Sequence, residues 1–344
     1  MKEISVIGLD LAKNVFQVHG VDNSGTVVVS KQVKRKDMKE FFAILKPCLI
    51  GMEACGGSHY WYRELSRLGH QVKIMAPAFV KAYLKSNKND RNDAEAICEA
   101  VQRPSMRFVS PKTPEQQSIL HLHHGRSLLV GQRVAVSNHI RSILSEYGIV
   151  IAQGNKALLR DLPDLLEDGE NELPMLVRHI LAELKAEFNQ LQSRIDRLEK
   201  LLQQWHRQNE CSQRLETIPG IGLQTATALV GAIDQGQDFK NGRQLASYLG
   251  LVPRQSSSGG KDRLLGISKR GDGYLRKLLI HGARTVVRHV RHRLQLGQPG
   301  RNPWVEQLLQ RCHPNEVAVA LANKMARIAW VLLARKETYR VIEH

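Results

Sequence analysis

The feature that most constrains this chain is an apolar series between Val177 and Trp205. Val177, Leu181, Leu184, Phe188, Leu191, Ile195, Leu198, Leu202 and Trp205 alternate spacings of four and three. Heptad periodicity sustained this far requires one helix of about 30 residues with a continuous apolar seam. Glu183, Lys185, Glu187, Arg194, Asp196, Arg197, Glu199 and Lys200 occupy its flanks. Such a seam must be covered. The stretch Thr113–Tyr147 offers a partner: Thr113 suits a helix N-cap, Pro114 suits the first turn, and Leu122, Leu129, Val136, Ile140 and Ile143 recur at helical spacing. Phe188 and Trp205 are large for a strict two-stranded seam. The expectation is a helical coiled-coil middle that folds as a hairpin and also contributes to oligomerisation.

Upstream the pattern changes to strands. EISVIGLDLA is apolar on both sides, as in a central buried strand. NVFQVHGV and TVVVSKQV follow it across a VDNSGT turn. Then come a helix-like stretch from Lys36 to Leu45, a short strand LIGMEA, a helix from Ser58 to Leu68, and a fifth strand QVKIMAP. Three strands in a meander followed by alternating helix and strand is the order of an α/β RNase H-like sheet.

Within that order four acidic residues gain meaning. Asp10 closes the first strand and Glu53 the fourth; if those strands are parallel neighbours, both carboxylates emerge at one sheet edge. Asp90 and Asp93 open a helix at i,i+3 spacing, on one face. Taken alone, Asp93 reads as a helix N-cap and Asp90 as a loop charge. Taken together, four converging carboxylates repel by on the order of 4 kcal/mol per pair at about 4 Å and an effective dielectric near 20. A hard cation, Mg²⁺ or Mn²⁺, would neutralise them.

The 344 residues carry a net charge of +17, which points to a polyanionic partner, and an aromatic content of 5% gives base stacking little scope. Five cysteines without a CxxC pair fit a reducing cytoplasm and exclude a zinc ribbon. No signal peptide and no bilayer-length apolar run is evident, so a soluble bacterial cytoplasmic, nucleoid-associated protein with no membrane partner is expected. His121, His123 and His124 read as polar-face or phosphate-facing residues, since no acidic or cysteine ligand accompanies them.

From Cys211 onward, LETIPGIGLQTATALVGAI has the form of a helix-hairpin-helix motif. Gly220, Gly222 and the amides of the next helix would contact a backbone phosphate there. The stretch from Arg254 to Leu279 holds Ser256, Ser257 and Ser258, then Gly259 and Gly260. Cations Arg254, Lys261, Arg263, Lys269, Arg270, Arg276 and Lys277 surround them. A hydroxyl beside permissive backbone and several cations suits attack on phosphate, although a flexible Ser/Gly loop on a basic surface has the same composition. Neither glycine turn meets the Walker or dinucleotide pattern, so nothing in the sequence supports an ATPase reading. Basic and amphipathic helices over Leu275–Leu294 and Asn315–Leu333 complete a mainly α C-terminal domain. The expected domains are 1–150, 151–209 and 210–344.

Five motifs in this order resemble the Piv-like DNA invertases and related insertion-sequence transposases: GLDLAKNVF, GMEACGGSHYW, KNDRNDAEAI, IPGIGLQTA and GLVPRQSSSGGKDRLLGISKRGDGYLRKLLIHGAR. That family joins a RuvC-like DEDD domain to a serine-bearing transposase domain. The resemblance implies cutting and rejoining of donor and target DNA, with the four acids as metal ligands and Ser258 as nucleophile, Ser256 and Ser257 remaining open. It also implies a structured guide RNA, a homodimer or homotetramer, and carboxylates and serine drawn from different protomers. A plain RuvC-like nuclease using activated water, and a non-catalytic DNA-binding scaffold, are the rival readings.

Overall fold

The computed structural model describes residues 3–84, 89–257 and 262–340. The chain divides into two compact units, Met1–Thr113 and Pro114–His344. The expected first domain runs to residue 150; the first compact unit is the sheet and its own helices alone.

In the first unit, β1 (Val6–Asp10), β2 (Val15–Val21) and β3 (Val27–Lys34) form the meander, and a 3-10 turn at Arg35–Asp37 leads into α1 (Met38–Ala43). Then follow β4 (Leu49–Glu53), α2 (Ser58–Arg67), β5 (Gln71–Met75), the short α3 (Pro77–Val80), α4 (Asp90–Val101) and β6 (Phe108–Val109). The strand order is β3-β2-β1-β4-β5-β6. β1 pairs antiparallel with β2 and parallel with β4, so the expected parallel neighbours are present. This mixed sheet with helices fits an RNase H-like α/β domain. Ile7, Leu9, Phe16, Ile50, Met52, Trp61 and Leu65 form the core of one face. Ile97, Ala100 and Val101 of α4 pack on the other.

The second unit is helical. α5 (Pro114–Glu146), α6 (Asn155–Glu167) and α7 (Met175–Gln208) are followed by α8 (Glu210–Glu216), α9 (Leu223–Ile233) and α10 (Gly242–Tyr248). A hairpin of β7 (Pro253–Gln255) and β8 (Leu264–Ile267) precedes α11 (Gly273–Gln295), α12 (Pro303–Leu309) and α13 (Pro314–Ala334). All nine seam residues of α7 are buried or half-buried. Ile140 and Leu144 near the end of α5 cluster with Leu181 and Phe188 near the start of α7, while Leu129 meets Leu191 and Ile195. α5 and α7 therefore run antiparallel, and Arg126 Nη2 pairs with Glu199 Oε1 at 2.6 Å across them.

Two local expectations change. The segment from Asp161 to Pro174 reads as turn-rich, but its first half is helical through Glu167, with Pro163 inside α6. Burial of Leu158 and Leu162 outweighs the lost backbone donor. α13 is long and apolar enough to cross a membrane by composition, against the expectation of no such run. It packs instead against α8, α10, α11 and α12, burying Leu321, Met325, Ala329 and Leu332.

Candidate functional site

The carboxylate centre is assembled by strand register. Gly8 pairs with Gly51 and Leu9 with Met52 across the parallel β1–β4 ladder, so Asp10 and Glu53 end adjacent strands at the same edge. The paired glycines have a second effect. A Cβ on Gly8 would lie 2.0 Å from the Ala94 carbonyl oxygen and 2.5 Å from the Cys98 nitrogen. A Cβ on Gly51 would lie 2.7 Å from Val101 Cβ. The two missing side chains make the trough in which α4 lies, and its first turn is thereby brought to the end of β1. The sequence carries the signal as VIGLD and LIGME, each with glycine two residues before its carboxylate.

At that end one carboxylate oxygen from each of Asp10, Asp90 and Asp93 lies within 4.8 Å of the others. Asp93 is not the N-cap. Asn89 holds that position with extended backbone, its side chain accepting from the Asn92 N–H at 2.8 Å, while the Asp93 N–H donates to the Asn89 carbonyl at 2.9 Å. Asparagine one turn earlier satisfies the helix end, so both aspartates sit in the first turn, where the helix dipole favours negative charge. Glu53 stands outside the three-oxygen cluster, at the end of the neighbouring strand β4. Burial raises the Cys55 thiol, and the charges of Asp10 and then Glu53 raise it further. Oxygens bound cis or trans to an octahedral cation at about 2.1 Å are separated by about 3.0 or 4.2 Å. The convergence of the oxygens and the all-oxygen donor set suit a hard divalent cation such as Mg²⁺ or Mn²⁺.

The serine stretch forms a β-hairpin rather than a plain loop. Gln255 pairs with Leu264, and the Ser256 N–H donates to the Arg263 carbonyl at 2.9 Å. Ser257 Oγ donates to Asp262 Oδ1 at 2.7 Å, and Gln255 Nε2 donates to both at 2.9 and 3.0 Å. These hydrogen bonds, Ser257 first, lower the Asp262 pKa. Nothing in the sequence singles out Asp262; its partner five residues away becomes close only when the hairpin closes. Ser258 and Lys261 lie outside the described residues.

The cations divide. Arg254, Arg263, Lys269, Arg270 and Lys277 are exposed around the hairpin and the start of α11. Arg276 instead donates from Nη1 to the carbonyls of Leu249 and Arg270, both at 3.1 Å, and so ties the end of α10 to α11. Gly220, at φ +91°, makes the turn between α8 and α9. Its carbonyl sits against Gly282 of α11, where a Cβ would come within 1.8 Å. Gly222 is the exposed N-cap of α9, with no side chain capping that end. His123 turns inward, unlike its exposed neighbours His121 and His124. Its ring bonds Tyr274 Oη at 3.0 Å and Thr227 Oγ1 at 2.9 Å, and burial pushes its pKa down to about 4.

Two family models match. One, described as "Transposase", covers residues 7–149 and spans the carboxylate centre; the other, described as "Transposase IS116/IS110/IS902 family", covers residues 212–298 and spans the serine hairpin. A probable family 20 transposase of Pseudomonas aeruginosa is 49% identical over 98% of this chain and 99% of its own. The chain belongs to the IS116/IS110/IS902 transposase family. The transposase for insertion sequence IS1111A of Coxiella burnetii is 44% identical over 99% of this chain and 92% of its own. That for IS1328 of Yersinia enterocolitica is 43% identical over 96% and 97%. As an insertion-sequence transposase the protein has DNA as its substrate, and its DEDD domain suits a divalent metal.

Proposed function

We propose that this transposase cuts and rejoins DNA through two centres, a metal site on Asp10, Glu53, Asp90 and Asp93 and a serine nucleophile at Ser258. The observation that carries the reading is the approach of the Asp10, Asp90 and Asp93 oxygens to within 4.8 Å at one sheet edge. These four carboxylates would hold Mg²⁺ or Mn²⁺, which would supply positive charge to offset charge developing at a scissile phosphate. Asp10 and Glu53 hold their places through strand pairing, and Asp90 and Asp93 through the first turn of α4.

Ser258 Oγ attacks phosphorus; the P–O bond to the departing 3′ oxygen breaks, and the serine proton leaves to solvent or a nearby base. A 3′-hydroxyl from another strand then attacks the phosphoserine link and releases the serine. Conservation of the phosphoester removes any need for ATP. Arg254, Lys261, Arg263, Lys269, Arg270 and Lys277 line the DNA backbone, with Gly220 and Gly222 at a phosphate-binding helix-hairpin-helix turn. Arg276 acts by fixing the hairpin's base. The α5–α7 hairpin contributes to assembly of a homodimer or homotetramer, the state implied by the Piv-type invertases that the sequence resembles, and a structured guide RNA supplies sequence choice.

Trapping the covalent protein–DNA species and mapping the attached residue tests the reading. Attachment at Ser258 is expected, and loss of the adduct in Ser258→Ala. An adduct that persists moves the assignment to Ser256 or Ser257. Metal-dependent cutting with hydrolysed ends and no adduct would favour the RuvC-like nuclease alternative. Recombination at full rate after exhaustive RNase treatment would remove the guide RNA.

A further inference from the structure

The sheet edge that carries the carboxylates also carries a group of cations that the proposed function leaves unused. β2 begins at this edge and β3 ends there, Val15 pairing with Lys34. The loop leaving Asp10 is tied to the segment leaving β3: the Arg35 N–H donates to the Asn14 carbonyl at 2.8 Å, and Arg35 Nη1 to the Lys13 carbonyl at 3.4 Å. Lys13, Lys34, Arg35 and Lys36 are thus gathered beside the end of β1, all four exposed. None has an acidic partner among the described residues, whereas Lys39 of α1 pairs with Glu64.

Arg35 is also held in place. Its guanidinium lies 5.8 Å from the Phe16 ring centroid and 5.6 Å from that of Trp61, and those two rings meet edge to face at 5.2 Å. Tyr60, at the start of α2 and 38% exposed, packs edge to face on the same Trp61 at 5.2 Å. A guanidinium stacked on aromatic rings keeps its fork of donors at a fixed angle, which suits bidentate contact with a phosphate.

We infer that Lys13, Lys34, Arg35 and Lys36, with the exposed ring of Tyr60, form a cradle for the backbone of the DNA strand entering the carboxylate centre. This rests on the reading of that centre as the site where DNA is cut. A cluster of carboxylates repels an approaching phosphate chain, and a row of cations along one side offsets that repulsion and sets the strand's direction. Lysines on an exposed edge strand also guard against sheet-to-sheet association. That role accounts for Lys31 and Lys34, but not for a fixed arginine or for Lys13 in the loop after Asp10.

The test uses the full chain and a fluorescently labelled duplex of the element's end, with Ca²⁺ in place of Mg²⁺ to hold the chemistry. The variants are Arg35→Ala, Arg35→Lys and Lys34→Glu/Lys36→Glu, each checked for an unchanged melting curve, with Asp10→Asn in parallel. Arg35→Ala and the double variant should weaken binding about tenfold and lower the salt-dependence slope by about one for each phosphate no longer neutralised. Arg35→Lys, which keeps charge but not the fork, should fall between, and cutting with Mg²⁺ should recover at saturating protein. Parental affinity and slope in both variants, with Asp10→Asn still inactive, would overturn the cradle and leave the carboxylate reading standing. The same holds if the double variant only aggregates while its soluble fraction binds normally, which would make the lysines edge guards. Cutting by Asp10→Asn at the parental rate would overturn the carboxylate reading, and the cradle with it.

Discussion

At Asp10 the backbone is held from three sides: β2 and β4 pair with β1, and α4 lies in the trough left by Gly8 and Gly51. At Ser257 a short two-stranded ribbon carries the residue, every β7 side chain is exposed, and the hydroxyl is held by Gln255 and Asp262. The first centre unites elements some eighty residues apart in sequence and depends on what is packed beneath it. The second is local and depends on turn chemistry. Core damage should therefore disable the carboxylates from a distance, while the hairpin should answer to changes within itself and to loss of the Arg276 tie at its base.

The largest effect should come from the carboxylates. Asp10→Asn keeps the strand and removes one charge, and strand cutting should fall by about 10²- to 10³-fold with an unchanged melting curve, read as nicked product on a gel. Next comes the trough. Gly8→Val drives a side chain into the α4 backbone, and urea unfolding should show a loss of about 3 kcal/mol together with abolished cutting. Gly266→Ala in β8 is the control for the hairpin: nothing among the described residues lies within 4 Å of the added carbon, and the change should stay within about 0.5 kcal/mol. Parity between these two variants would break the comparison.

His123 tests whether the helical unit has an equally built interior. Its folded pKa of about 4 lies below the ordinary value of 6.5, so the unfolded chain takes up the proton first as pH falls. Stability should be level above about pH 6.5 and decline by up to about 3 kcal/mol toward pH 4, where the folded state also protonates. Urea midpoints against pH should show that slope in the parent and a shallower one in His123→Gln. The smallest effect sharpens the hairpin side. Ser257→Ala removes the main hydrogen bond lowering Asp262, so the carboxyl resonance should titrate at higher pH, nearer its ordinary value, with melting temperature almost unmoved.

Legibility in the sequence follows the range of the interactions. The α7 seam is readable because heptad spacing is a property of consecutive residues, and the first five strands because apolar runs alternate with helical ones, whereas the two-residue β6 leaves no such pattern. The β7–β8 hairpin is not, because its strands are short and exposed and lack alternation. Asn89 and Asp93 are both good capping residues, and only backbone conformation gives the cap to Asn89. His123 looks like its two neighbours, since three histidines in four positions carry no mark of which one faces the core. Arg276 looks like any cation of the basic helix until the fold brings the carbonyls of Leu249 and Arg270 within its reach.

The sequence by itself determined the elements and the chemistry available to them. Periodicity, composition and the position of each acid at the end of an apolar run are local, and local physics writes them directly into the chain. Only the tertiary structure decided how closely the acids meet, with oxygens of Asp10, Asp90 and Asp93 within 4.8 Å of one another and Glu53 outside that group. That approach rests on Gly8 standing beside Gly51 in a parallel ladder, so that a helix can lie closer to the sheet than any side chain would allow. The contact joins residues far apart in sequence, and no spacing rule along the chain encodes it.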